Sequence, residues 1–179
     1  MYVVITGGPG AGKTTLVDAL RERGYACVPE AARAIVRDQA AIGGTLHVGD
    51  SDGYAETIMT WDMRNHRDAA TLPRPVFFDR GLPDRLGFPV ARGEPVPPHV
   101  TAAAARFRYD LVFVAPPWAE IYARDAERTH TFAHALRVYD ACVAGYRLAG
   151  YGPVELPKVS VDERVAFVLD RVNTVGPDR

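Results

Sequence analysis

Gly7-Gly8-Pro9-Gly10-Ala11-Gly12-Lys13-Thr14 is the stretch from which the rest of the chain can be read. It is G-x-x-x-x-G-K-[ST] without a mismatch. The apolar run Tyr2-Val3-Val4-Ile5 before it has the pattern of a buried strand. Thr14-Thr15-Leu16-Val17-Asp18-Ala19-Leu20 after it has that of a helix. Glycines let the backbone curl so that successive N–H groups point inward at an anion. The following helix adds the positive end of its dipole. Gly8, Pro9, Gly10, Ala11, Gly12, Lys13, Thr14 and Thr15 are therefore the expected phosphate cradle, with Lys13 toward the terminal phosphates and the Thr14 hydroxyl on Mg²⁺. Lys13 and Lys158 are the only lysines, so a lysine in the loop is not background.

The 179 residues suit one domain, 1–179, and 47% hydrophobic residues suffice for a sizeable core. A formal net charge of −1 offers no global positive field for nucleic acid, so none is expected as a partner. Cys27 and Cys142 belong to no metal or redox motif and read as reduced core thiols in a cytoplasmic protein. No apolar run reaches the length of a membrane span, and no leader is expected ahead of the first strand.

Working outward, strand and helix alternate. Strands are expected at Tyr2–Thr6, Ala26–Glu30, Pro75–Asp79, Asp110–Val114 and Val154–Leu156. Helices are expected at Lys13–Arg23, Ala31–Ala41, Tyr54–Ala70 and Asp162–Val172, the last with Ser160 as N-cap and Glu163 at the capping-box position. Ile42–Gly53 reads as a loop, and Gly87–His99, with four prolines, as short helical pieces. Trp118–Ala149 reads as a long helical region interrupted near Arg128-Thr129-His130. Such alternation predicts a parallel sheet with helices on both faces and ligands at the carboxyl ends of the strands.

The chemistry-bearing residues fall at those ends. Glu30 closes strand two, where a carboxylate beside the phosphate loop suits the base that takes a proton from an acceptor hydroxyl. Asp79 closes the apolar strand three and suits an acid near Mg²⁺; Arg80 beside it suits bidentate binding of substrate or of the transferring phosphoryl group. Arg124 and Arg128 are four apart and share a helical face after strand four, where a basic lid, about residues 118–130, would close over the phosphates. Met59, Trp61 and Met63 offer a surface for a planar acceptor, with core packing the competing reading for Trp61.

Together, Gly7–Thr14, Val28-Pro29-Glu30, Phe78-Asp79-Arg80-Gly81 and Leu156-Pro157…Asp162-Glu163-Arg164 resemble small P-loop ATPases of the AAA type. These are grouped with the ribosylnicotinamide kinase domain of NadR. The resemblance implies an α/β P-loop NTPase of the nucleoside/nucleotide kinase type: a five-stranded parallel sheet of order 2-3-1-4-5, helices on both faces and a helical lid. Deoxynucleoside kinases look similar at two further points: a Pro-Glu ending strand two, whose carboxylate is the base, matches Glu30, and an acid–Arg turn after strand three matches Asp79-Arg80. The arginine and sensor set of ring-forming AAA motors is not recognisable here. The expected activity is Mg-ATP-dependent transfer of the γ-phosphoryl group to a hydroxyl of a small molecule, with Glu30 or Asp79 as base. A nucleotide switch that engages a protein or lipid partner is the alternative, and an antibiotic-modifying phosphotransferase a weaker one. ATP and Mg²⁺ are the expected cofactors; ATP and GTP stay open, as does the oligomeric state.

Overall fold

Strand β1 (Tyr2–Gly7) is buried along its whole length and forms the centre of the sheet. The structure, a computed structural model, describes residues 1–46, 52–122 and 131–176. After β1 come α1 (Lys13–Glu22), β2 (Ala26–Val28), α2 (Ala31–Ala41), α3 (Asp52–Asp68), β3 (Val76–Asp79), α4 (Asp84–Ala91) and α5 (Pro98–Arg106). Then follow β4 (Leu111–Ala115), α6 (Phe132–Leu148), β5 (Val154–Glu155) and α7 (Val161–Val175). The five strands pair in parallel in the order β2-β3-β1-β4-β5, with Val4 opposite Phe78 on one side and Val112 on the other.

The two-residue period of β1 sends its side chains to two cores. Val3 and Ile5 join Phe77 and Phe113 under Leu16 and Leu20 of α1 and Val165 and Val168 of α7. Tyr2 and Val4 join Val76, Phe78 and Val112 under Tyr109 and Tyr146 on the opposite face. With β1 flanked on both edges and covered on both faces, the loop after it is held at the middle of the molecule.

Helices α4 and α6 meet main chain to main chain. A Cβ at Gly87 would collide with the Ala141 carbonyl, and one at Gly145 with the Pro83 carbonyl. On α7, Ser160 and Glu163 form the anticipated capping box. Three expectations change. Within Gly87–His99 the chain does break, between α4 and α5, but Pro98 sits at the first position of α5, where a missing N–H costs nothing, so that proline starts a nine-residue helix. Between Trp118 and Ala149, Ala119–Ile121 is a 3₁₀ turn and α6 begins only after Thr131, whose hydroxyl caps the His134 amide. The planar-acceptor surface on α3 does not form: Met59 is core beside Leu82 and Leu86, Met63 packs on the same cluster, and Trp61 is exposed.

Candidate active site at the carboxyl ends of the strands

The phosphate loop owes its shape to glycine. Gly7, Gly10 and Gly12 have φ of 129°, 75° and 77°, a region that costs side-chain-bearing residues strain. Space is equally short: a Cβ at Gly7 would strike the Ala115 carbonyl of β4, and one at Gly8 the Ala135 carbonyl of α6. Lys13 is buried, and its Nζ donates to the Gly8 carbonyl at 2.8 Å. Burial, helped by the nearby Arg80 cation, lowers the Lys13 pKa to about 8, against the pull of Asp79 and Glu30. The ammonium thus lies across the loop with little water around it, as a charge needed by an anion does.

Asp79 ends β3, next to β1, and is buried. Its Oδ2 accepts from Thr14 Oγ1 at 3.4 Å; its Oδ1 has no partner among the described residues. Burial raises the Asp79 pKa, with Lys13 the main opposing influence. A hydroxyl oxygen beside a carboxylate with an idle oxygen is hard-ligand chemistry. It fits Mg²⁺, which takes one or two protein oxygens and completes its shell with phosphate and water.

Arg80 adopts φ 73°, the one positive φ of a non-glycine residue among those described. Such strain persists where surroundings over-determine it, and here they do. Its Nε donates to Glu30 Oε1 at 2.7 Å, and its Nη1 lies 3.7 Å from Asp84 Oδ1 and 3.7 Å from Cys142 Sγ. Asp84 is fully buried and accepts from Thr6 Oγ1 at 2.5 Å, the Gly81 amide at 3.0 Å and Tyr146 OH at 3.2 Å. Glu30 also accepts from Arg33 Nε, at 3.0 Å. Burial alone would raise the Glu30 pKa; Arg80, Lys13 and Arg33 outweigh it and bring it down to about 2. Glu30 is therefore an ionised hydrogen-bond acceptor at neutral pH.

Beyond this pair, α3 and α4 contribute two residues that the sequence did not single out. Burial pushes Asp62 up to about 7, with Arg85 pulling the other way. The Arg85 guanidinium lies 5.0 Å from the Phe88 ring centre, and its buried Nε has no partner among the described residues.

Two clefts meet at Thr14 and Arg33. One, of about 330 Å³, runs from the phosphate loop and Thr15 to Trp118, Ile121, Val159, Ser160, Val161 and Arg164. The other, of about 220 Å³, lies between α1 and α2 and reaches Glu30 and Asp79. Arg164 braces the first: Nη1 donates to the Ala11 carbonyl at 2.9 Å and Nε to the Pro157 carbonyl at 2.8 Å.

The structure thus gathers Lys13, Thr14, Glu30, Asp79 and Arg80 around one loop. Arg124 and Arg128 lie outside the described residues; of the expected lid, Trp118 and Ile121 line the larger cleft. Asp62, Arg85 and Arg33 carried no motif. Arg164 carried two signals, its place beside a capping box at a helix start and its membership of the last stretch that resembles the small P-loop ATPases.

A family model described as AAA domain matches residues 2–164. The chain belongs to this AAA domain family. No curated protein matches. Among solved structures, this AAA domain protein is similar to deoxyadenosine kinase from M. mycoides with the products dCMP and a flexible dCDP bound. The TM-score is 0.63 at 14% identity, over 97% of this chain and 100% of that one. The same enzyme with dATP bound gives 0.59 at 12% identity, with the same coverage. At these identities the likeness is one of fold: this AAA domain chain has the architecture of a P-loop nucleoside kinase. Among the described residues, no helix is long and apolar enough to cross a membrane.

Proposed function

We propose that the protein is a Mg-ATP-dependent kinase that phosphorylates a hydroxyl of a small molecule such as a nucleoside or nucleotide. The Glu30–Arg80 pair carries this reading. Hydrolysis or switching needs the phosphate loop and a metal-side acid; a further carboxylate–guanidinium pair at the strand ends, in a cleft shared with Thr14, suits an acceptor hydroxyl. The similarity to deoxyadenosine kinase in fold agrees with it.

In this reading the loop amides and Lys13 hold the β- and γ-phosphates. Thr14 and Asp79 would hold Mg²⁺, which would supply positive charge against the developing charge on the phosphate oxygens. Glu30 accepts a hydrogen bond from the acceptor hydroxyl, orients it along the line of attack and takes its proton as the bond forms. Arg80, fixed by Asp84 and its own strained backbone, holds that carboxylate and faces the transferring group. Arg124 and Arg128, which lie outside the described residues, are the cations expected to offset phosphate charge; losing one of them slows transfer by about ten- to a hundredfold.

The test is mass spectrometry of an acceptor screen with Mg-ATP over nucleosides, nucleotides and hydroxylated metabolites. A product heavier by one phosphoryl group, absent with Glu30→Gln, is the expected result. Hydrolysis of ATP at the same rate with and without every acceptor overturns the kinase reading.

A further inference from the structure

We propose that Arg33 binds the γ-phosphate of the donor nucleotide through the two terminal nitrogens of its fork, Nη1 and Nη2. The proposal rests on the phosphotransfer reading, with the triphosphate on the loop, and adds to it a cation that carries no motif.

Arg33 lies on α2, one helical turn past Glu30, and its Nε donates to Glu30 Oε2 at 3.0 Å. The other oxygen of Glu30 accepts from Arg80 Nε at 2.7 Å. The Arg33 guanidinium is thereby anchored over the strand ends. Burial works against ionisation at both Glu30 and Asp79, and the Arg33 cation is among the charges that oppose it at each. Nη1 and Nη2 donate to no group among the described residues. The side chain is 49% exposed, where that of Arg80 is 12% exposed, so a ligand has access to this fork.

Position decides what the fork can meet. Arg33 and Thr14 are the two residues that line both clefts. One cleft brings the phosphate loop from Gly10 to Thr15, the other Glu30 and Asp79. For a phosphoryl group to pass from loop to acceptor, the γ-phosphate lies at that junction. The neighbouring cations are engaged: Lys13 Nζ on the Gly8 carbonyl, Arg80 Nε on Glu30 and Arg80 Nη1 near Asp84. Arg33 offers two parallel donors, the geometry that matches two oxygens of one phosphate. Its bond to Glu30 also ties the carboxylate that receives the acceptor hydroxyl to the fork that holds the phosphate, so the two reacting groups are brought into line as a unit.

Calorimetric titration of the whole protein with Mg²⁺ and either ADP or a non-hydrolysable ATP analogue, without any acceptor, tests this. Wild type, Arg33→Gln, Glu30→Gln and the double variant are compared. The quantity read is the preference for the triphosphate analogue over ADP. Arg33→Gln should lower it about tenfold or more, with ADP affinity changed less than about twofold. The same fall should appear when Arg33→Gln is added to Glu30→Gln. An equal loss for both nucleotides, or no loss, overturns the proposal. So does a fall that disappears in the Glu30→Gln background, which makes Arg33 a screen for the Glu30 charge only.

Circular dichroism and thermal melting check folding. Should Arg33→Gln not fold, Arg33→Met takes its place and is judged by the same ratios. The kinase reading fails by a different result, nucleotide bound and no acceptor phosphorylated, which leaves these binding ratios intact.

Discussion

In the proposed reading, the site has a donor side and an acceptor side, and the two are built from different materials. On the donor side, main chain does the work: three glycines at positive φ, amides at a helix start, and a loop wedged against the Ala115 and Ala135 carbonyls. On the acceptor side, side chains do it. Glu30, Arg33, Arg80 and Asp84 neutralise one another, while Arg85 keeps a buried Nε without a partner among the described residues and Asp62 stands close enough to feel its charge. A main-chain cradle suits a ligand part that never varies, the triphosphate. A side-chain pocket can be retuned one residue at a time for a part that does vary.

The sharpest way to break this contrast is Glu30→Gln. It keeps the volume and removes the charge, and kcat should fall by about 10²–10⁴-fold with the KM for ATP little changed. If turnover survives Glu30→Gln and collapses in Asp79→Asn, the base is Asp79 and the two sides share it. Next in size is Lys13→Ala, which should weaken Mg-ATP binding by about ten- to a hundredfold while the melting curve stays cooperative. Wild-type affinity in the folded variant would mean the main chain alone holds the triphosphate. For Asp79→Asn, nucleotide affinity measured with and without Mg²⁺ should differ less than in wild type, since the negative charge and one of the two oxygens that suit the metal are gone.

The smallest effects separate the sides by pH. Native Lys13 titrates near 8 against an ordinary 10.5, so between those values the unfolded chain binds the extra proton and stability rises with pH. Native Asp62 titrates near 7 against an ordinary 3.8, so between those values the native protein binds the extra proton and stability falls as pH rises. Each slope is at most about 1.4 kcal/mol per pH unit. Denaturant midpoints across pH 4–7 should flatten in Asp62→Asn, and across pH 8–10.5 in Lys13→Met. A slope surviving its own substitution would assign it to another group.

The same contrast explains what could be read before the structure. Eight consecutive residues carry the donor loop, so their pattern and flanks disclosed strand, loop, helix and sheet. Asp79-Arg80 was legible because Asp79 ends an apolar strand, where parallel sheets place their ligands; Glu30 was read as the end of strand two but is the N-cap of α2, two residues beyond β2. Asp62 and Arg85 were not. They come together only because α3 and α4 pack around Met59, Leu82 and Leu86, a tertiary fact with no local sign. Arg164 reaches a carbonyl 153 positions earlier in the chain, which no spacing rule anticipates. Helix α5 was missed because Pro98, taken for a breaker, stands where proline begins a helix.

Helix α6 touches both sides and does so with its backbone: at Ala135 it abuts Gly8 of the phosphate loop, and at Ala141 and Gly145 it abuts α4, which carries Asp84 and Arg85. It works as a gauge bar. The distance between the phosphate loop and α4 is set by peptide units, whose dimensions never mutate, with Gly8, Gly87 and Gly145 at the points of contact. Most of the remaining α6 positions can drift without changing that distance, so two chains can keep one spacing between phosphate loop and α4 while sharing little else in sequence.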